Sequence, residues 1–193
     1  CTVALQREFL HVLEQTGCQD WTERAREVAA KTVDFSTLVS RLVEEGRLSF
    51  SPGTEHAGPV TYHDSCNPTR AMGLIEEPRY ILNRVCNRFH EMPAQTIREH
   101  TFCCGSGAGL GNEENLEMRL RGGFPRANAV RHVREQHDVN LLACICAIDK
   151  ATLTVNAFSA DKDYVVLPQL LKKAKGLLVY PLIVEGGFII GGS

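Results

Sequence analysis

The sequence has neither a long hydrophobic run nor an excess of charge of one sign. Its longest apolar stretch, residues 176–192, contains Pro181 and Glu185 and is shorter than the roughly 20 residues of a membrane-spanning helix. The 21 basic and 23 acidic residues leave a formal net charge of −2, which provides no global field to attract a polyanion. These absences argue against a membrane-spanning chain and against nucleic acid as a partner.

Common nucleotide-binding and zinc-binding motifs are also missing. The segment Gly105-Ser-Gly107-Ala-Gly109 continues with Leu110, where the dinucleotide-binding pattern requires a third glycine. No Lys-Ser or Lys-Thr follows it, which excludes a P-loop. No two cysteines are separated by two to four residues, so the spacing matches the usual zinc site poorly. No signal peptide opens the sequence, which begins at Cys1, so an upstream segment is expected to be missing.

What the sequence does have is an ordinary globular composition with many cysteines. The length of 193 residues predicts one domain and part of a second. The composition, with 44% hydrophobic and 23% charged residues, is typical of a soluble globular protein. Eight cysteines are an unusually high count, but small disulfide scaffolds are shorter and denser in cysteine than this chain. We interpret them as thiols of a reducing compartment that serve metal or redox chemistry.

The hydrophobic pattern predicts alternating helices and strands. Helices are predicted over 3–14, 35–43 (ended by Gly46), 78–89, 112–121 and 125–137. Strands are predicted over 59–63, 101–103 and 139–145, with turns at 64–68, a glycine-rich loop at 105–111 and two short strands within 176–192. This order predicts an α/β fold: a small, mostly parallel sheet flanked by helices, with a short glycine-rich β segment at the C-terminus.

Five cysteines form three groups, each predicted at or just past the C-terminal end of a strand, which is where open α/β sheets bind ligands. They are Cys66, Cys103, Cys104, Cys144 and Cys146. Thiolates are soft ligands that suit an iron–sulfur cluster or zinc, and the zinc alternative stays open. Glycines allow the backbone to pass close to a bulky cluster, so Gly105, Gly107 and Gly109 are predicted to line it.

Other polar residues have less specific interpretations. Cys18 and Cys86, the latter on a predicted helix, are expected to be small buried apolar side chains. His63 donates a proton during thiol release, hydrogen-bonds a cluster sulfide, or simply fixes a turn. Five arginines within 119–134 are expected to form a solvated helix face, with an acidic partner as the alternative. They are Arg119, Arg121, Arg126, Arg131 and Arg134.

The elements Tyr62-His63-Asp64-Ser65-Cys66, Cys103-Cys104-Gly105 and Cys144-Ile145-Cys146 resemble the CCG domain of heterodisulfide reductase-type proteins. Residues 1–153 would form this domain, and 60–153 are most similar to the catalytic K subunits of dissimilatory sulfite-reduction membrane complexes. The resemblance implies a noncubane [4Fe-4S] cluster, held by the five cysteines, that acts on a disulfide or trisulfide. It also implies membrane-bound electron-transfer subunits as partners, a small thiol/disulfide carrier protein as substrate, and a cytoplasmic protein attached to the inner membrane through its partners.

Two departures from this family pattern affect the predicted ligands and the extent of the chain. The general motif ends in Cys-x-x-Cys, but here Asp149 follows Cys146 at that spacing, so either Cys144 or Asp149 completes the ligand set. The ferredoxin-like cysteine runs of the family are absent, which predicts that this chain is a fragment of a longer protein.

The C-terminal segment, residues 154–193, does not fit the same family. From about residue 158, its Gly186-Gly187-Phe188 and Gly191-Gly192 elements resemble the start of a SYLF domain, a lipid-binding family. This resemblance implies lipid contact through the tail and defines the alternative function, a lipid-binding module with a non-catalytic cysteine-rich region. A glycine-punctuated β-hairpin that completes the sheet is the simpler interpretation.

Overall fold

The computed structural model describes residues 2–51, 56–106 and 113–146. The chain divides into two units, one made of Cys1–Glu55 and Cys66–Asn87, the other of His56–Ser65 and the chain from Arg88 onward. Gly107, Gly109, Asp149 and the whole segment 154–193 lie outside the described residues. The predicted cluster-lining loop and the SYLF-like tail therefore stay predictions.

The first unit is helical. A short π-helix, Ala4–Glu8, leads directly into the first α-helix. The α-helices of this unit are α1 (Phe9–Thr16), α2 (Gln19–Lys31), α3 (Phe35–Glu44), α4 (Cys66–Met72) and α5 (Glu76–Val85).

Helix α3 shows how the sequence defines its own boundaries. The Asp34 side chain caps its first turn by accepting a hydrogen bond from the Ser36 N–H at 2.8 Å. Gly46 follows its end with φ +69°, and the Arg47 N–H bonds back to the Leu42 carbonyl at 2.9 Å. This pattern is a Schellman motif, in which glycine adopts the left-handed conformation at little cost. The predicted helix and its termination at Gly46 are confirmed.

The second unit contains the sheet and one long helix. Its strands are β1 (His56–His63), β2 (Cys86–Phe89, whose first two residues count with the first unit) and β3 (Leu141–Cys144), and its helix is α6 (Leu116–His137). The strand order is β2-β1-β3, and β1 runs parallel to β3 in a register from Val60 opposite Leu141 to His63 opposite Cys144. The predicted α/β class, the strand over 59–63 and the strand within 139–145 are confirmed.

The central strand is fully covered. Val60, Tyr62 and His63 on β1 are each 1% exposed or less. A hydrophobic cluster joins α6 to the segments on either side of it, and α6 also contacts β1. The members of this cluster are Met92, Ile97, Ala129, Val133 and Val139. Burial of this apolar surface is what holds α6 in the second unit.

The sequence pattern mispredicts the start of α4 and the end of α5. The predicted turn over 64–68 is wrong from Cys66 onward, because α4 begins there. The predicted helix over 78–89 is also wrong at its end, since α5 stops at Val85 and Cys86 begins β2. The His90 N–H donates to the Val60 carbonyl at 2.8 Å, and the Arg88 guanidinium donates to the Ala57 carbonyl. Pairing with β1 therefore outcompetes the helical pattern.

Two further predictions are corrected in the second unit. Residues 101–103 form no strand, because Thr101 follows a short 3₁₀ turn, Arg98–His100, and is held by side-chain hydrogen bonds instead. The two helices predicted over 112–121 and 125–137 are one continuous helix, α6, preceded by a 3₁₀ turn at Glu113–Asn115. Pro125 lies inside it. Proline removes one helical hydrogen bond, and the burial of the face that carries Ala129 offsets that loss.

The described part of the chain contains no helix that is both long enough and apolar enough to cross a membrane.

Two histidines of the second unit stack on each other. The His90 and His137 rings lie 4.2 Å apart between centroids, with 12° between their planes. Burial lowers the pKa of His90 below 6.5, and the nearby His137 and Arg88 lower it further. The neutral form of His90 is therefore favoured in the folded protein. The stability that neutral His90 allows is fully present above pH 6.5. It is lost as the pH falls through the lowered pKa of His90.

Replacement of His137 by Gln should reduce this pH dependence, because it removes a charge that opposes protonation of His90. Urea unfolding from about pH 7.5 down to about pH 5 should show a smaller loss of free energy of unfolding in His137→Gln than in the wild type. His132→Gln, an exposed change on the same helix, is the matched control and should behave like the wild type. Equal slopes for all three proteins would contradict this assignment.

Candidate metal centre

Cys144 and Cys146 lie at the carboxyl edge of the sheet. Cys144 is the last residue of β3 and is opposite His63, the last residue of β1. The Cys144 Sγ donates to the Cys146 carbonyl at 3.7 Å, which closes the turn between them. The predicted position of this pair at a strand end is confirmed. Coordination of a metal by Cys144 would replace the proton of that contact, since the thiolate is the ligand form.

The chain leaves β1 at the same edge through Asp64 and Ser65, both buried. One Asp64 carboxylate oxygen accepts the Arg98 N–H at 2.9 Å, and the Asp64 carbonyl accepts the Thr101 hydroxyl at 2.8 Å. Arg98 has φ +58°, an unusual conformation for a residue other than glycine. Asp64 thus holds the segment that leads to Cys103 against the end of β1.

The adjacent cysteines follow that segment without forming a strand. Cys104 is 3% exposed and Cys103 is half-buried. The Gly105 N–H donates to the Cys103 Sγ and the Ser106 N–H donates to the Cys104 Sγ, each at 3.4 Å. Backbone N–H groups that point at sulfur stabilise thiolate and tune the potential of sulfur-ligated metals. Both sulfurs therefore have surroundings that suit a thiolate ligand.

Gly105 meets helix α6 at very short range. Its φ is +92°, and a Cβ placed on it would lie 2.3 Å from the Arg119 carbonyl oxygen. The Arg119 side chain in turn donates from Nε to the Gly105 carbonyl at 3.2 Å. Within the described residues, the close approach that requires glycine here is therefore to the backbone of α6.

The burial of Arg126 contradicts the prediction that the five arginines form a solvated helix face. Its exposed fraction is 0%, and Arg119 is half-buried against Gly105, whereas Arg121, Arg131 and Arg134 are exposed. The signal that identifies Arg126 is its spacing: it precedes the buried Ala129 and Val133 by three and seven residues, so it lies on the same face of α6.

Three other cysteines have different surroundings. Cys66 begins α4 three residues after β1 ends at His63, so its predicted position just past a strand end is confirmed. Cys18 is exposed just before α2, so the prediction that it is buried is wrong. Cys86 is half-buried at the start of β2, not on a helix, and burial raises the pKa of its thiol. A raised thiol pKa is typical of a structural cysteine, which agrees with the prediction that Cys86 acts as a small apolar side chain.

The candidate donors are thiolates, which suit an iron–sulfur cluster or zinc. In the residues that the structure covers, no three His, Cys, Asp or Glu side chains are grouped closely enough to hold one metal ion. A zinc site needs about four donors around one centre. A cluster is wider, and its separate irons each take their own thiolate, so adjacent Cys103 and Cys104 can serve different irons. The thiolate chemistry and the N–H groups at both sulfurs fit such a group.

The comparisons with known proteins agree with this interpretation of the cysteines. Residues 60–147 match the family described as "CCG: Cysteine-rich domain". The match starts at Val60 on β1 and ends just after Cys146, so it contains the sheet edge and all five predicted ligands.

Several iron–sulfur proteins are similar to this chain. The Hdr-like menaquinol oxidoreductase iron-sulfur subunit 2 of Archaeoglobus fulgidus is 47% identical over 114 residues, which is 59% of this chain and 20% of the relative. The Hdr-like menaquinol oxidoreductase iron-sulfur subunit of Archaeoglobus profundus is 44% identical over 118 residues, 61% of this chain and 21% of the relative.

A more distant similarity extends over more of the chain. A dihydromethanophenazine:CoB–CoM heterodisulfide reductase subunit of Methanosarcina mazei is 26% identical over 167 residues, 82% of this chain and 37% of the relative.

The chain spans about a fifth of the length of the two Archaeoglobus relatives. No solved structure matches it.

Substitution of Gly105 by Ala should destabilise the protein, because the new methyl group overlaps the Arg119 carbonyl in a left-handed conformation. We expect a loss of about 1–3 kcal/mol or more in the free energy of unfolding, measured by urea denaturation of the metal-free chain. The matched control is Gly122→Ala, since Gly122 lies in α6 with nothing near its Cβ position. That change should stabilise the protein by about 0.5–1 kcal/mol. Equal effects would contradict the contact.

Proposed function

We propose that this chain is the cysteine-rich part of an iron–sulfur oxidoreductase subunit that transfers electrons. The observation that carries the proposal is the adjacent pair Cys103 and Cys104, whose sulfurs each accept a backbone N–H. A second support is Cys144, which ends β3 at the edge where β1 also ends. The family match over 60–147 and the iron–sulfur subunits among the relatives support the same function.

The proposed ligands are the five cysteines of the three groups, with Asp149 as the alternative to Cys144. They are Cys66, Cys103, Cys104, Cys144 and Cys146. Gly105, Gly107 and Gly109 are proposed to leave room for the cluster. We propose the noncubane [4Fe-4S] type, which the resemblance implies. When bound, such a cluster supplies electrons and an iron site that accepts sulfur ligands.

The proposed reaction is the two-electron reduction of a disulfide or trisulfide, or its reverse. A disulfide takes up two electrons and two protons and gives two thiols, with the S–S bond broken. The electrons would come from membrane-bound partner subunits of a sulfur-metabolism complex related to the dissimilatory sulfite-reduction K-subunit branch. The heterodisulfide reductase named among the relatives supports the substrate class. A small thiol/disulfide carrier protein is the proposed physiological substrate.

His63 is the proposed proton donor for the thiolate that leaves. It is fully buried at the end of β1, opposite Cys144 in the register of the sheet. Imidazole nitrogens can donate and accept protons, which is the role proposed for His63 at the edge where β1 and β3 end.

Serine in place of Cys103 or Cys104 should abolish cluster binding, because a serine hydroxyl is a poor ligand for iron in such clusters. After anaerobic reconstitution, the wild type should contain about four irons and about four acid-labile sulfides per chain and absorb visible light. The control Cys18→Ser, a change of an exposed cysteine in the first unit, should match the wild type.

His63→Asn should keep the iron but, with a reduced viologen dye as the electron donor, should lose thiol production from a small disulfide.

Other outcomes would contradict the proposal. Full iron content in Cys103→Ser and Cys104→Ser would exclude these two ligands. Zinc without sulfide would favour a structural metal site. Colourless protein that sediments with liposomes only when residues 154–193 are present would favour the alternative, a lipid-binding module.

A further inference from the structure

Arg126 is a guanidinium enclosed by the second unit. It lies on α6, is 0% exposed, and donates to three groups in the segment 92–101. Its Nη1 contacts the Met92 Sδ at 2.8 Å, and its Nη2 contacts the Thr96 carbonyl and the Thr101 hydroxyl, the latter at 2.7 Å. A buried guanidinium is costly unless it is extensively hydrogen-bonded, so these contacts restrict the segment to one arrangement.

Thr101 links this guanidinium to the end of β1. Its hydroxyl accepts from Arg126 and donates to the Asp64 carbonyl at 2.8 Å. The Asp64 carboxylate fixes the N–H of Arg98, three residues before Thr101. Because Thr101 is itself fully buried and only two residues before Cys103, the chain enters the adjacent cysteines from a point fixed by α6 and by β1.

We propose that Arg126 is a positioning residue for the metal centre: through Thr101 it sets the direction in which Cys103 and Cys104 are presented to the cluster. This inference rests on the proposed function. The planar fork of arginine bonds the Thr96 carbonyl and the Thr101 hydroxyl from one nitrogen while the second nitrogen contacts Met92. A lysine ammonium is a compact charge and cannot reproduce that fork, so it keeps the charge and loses the geometry.

The first test uses the reconstituted full chain and pairs of matched variants. Arg126→Lys and Thr101→Val should change the electron paramagnetic resonance spectrum of the cluster and shift its reduction potential. Thr101→Ser, which keeps the hydroxyl, and Arg131→Lys, an exposed change on the same helix, should keep both as in the wild type. Wild-type spectra and potentials in Arg126→Lys and Thr101→Val would overturn the inference, and the proposed function would stand.

The second test needs no cluster. In the metal-free chain, Cys104 is almost fully buried, so its alkylation by iodoacetamide requires the segment to open. Thr101→Val should accelerate that alkylation roughly thirtyfold, the effect of losing the two hydrogen bonds that the Thr101 hydroxyl makes, and Thr101→Ser should not. Equal rates in the two variants would overturn the inference even if Arg126→Lys fails to fold. A wild type that takes up no iron, with the rates differing as expected, would refute the proposed function and the role at the cluster, and leave only the structural link.

Discussion

The parallel pairing of β1 with β3 is the constraint on which the candidate site depends. Parallel strands end at the same edge of a sheet, so this pairing brings His63 and Cys144 side by side although 80 residues separate them. The chain then leaves β1 through Asp64, which binds the segment that leads to the adjacent cysteines. A one-residue slip of the register would turn each side chain of the strand to the other face and dismantle the site.

Buried polar contacts, rather than a strand, hold the segment before Cys103. A strand would satisfy its backbone groups in a ladder, whereas here the Thr101 hydroxyl donates to the Asp64 carbonyl and accepts from the Arg126 guanidinium on α6. Such a network costs more to bury than apolar packing, but it specifies one arrangement when all its members are bonded. At the other side of the cysteines, Gly105 lies against α6, so the same helix contacts the chain before and after Cys103 and Cys104.

Sequence patterns predicted the elements whose signals are local. The strand within 139–145 is a short apolar run, the strand over 59–63 is rich in residues that favour strands, and α3 carries its own cap residue and its Gly46 terminator. Patterns failed where pairing decided the structure: β2 forms because it meets β1, and α6 continues through Pro125 because its face is buried. The burial of Arg126 was not predictable for a similar reason, because an arginine within a charged series is expected to be solvated and its partners are distant in sequence. The cysteine groups were identifiable because their spacing fits the usual zinc site poorly, but the cluster itself is implied only by the family resemblance.

The central claim is the proposal that Cys103 and Cys104 are thiolate ligands of an iron–sulfur cluster. Its most direct test is a crystal structure of the anaerobically reconstituted protein, with anomalous diffraction measured at the iron absorption edge. The account predicts strong iron peaks within bonding distance of both sulfurs. Iron bound only at other residues, or ordered Cys103 and Cys104 side chains without iron in a crystal of fully loaded protein, would contradict it.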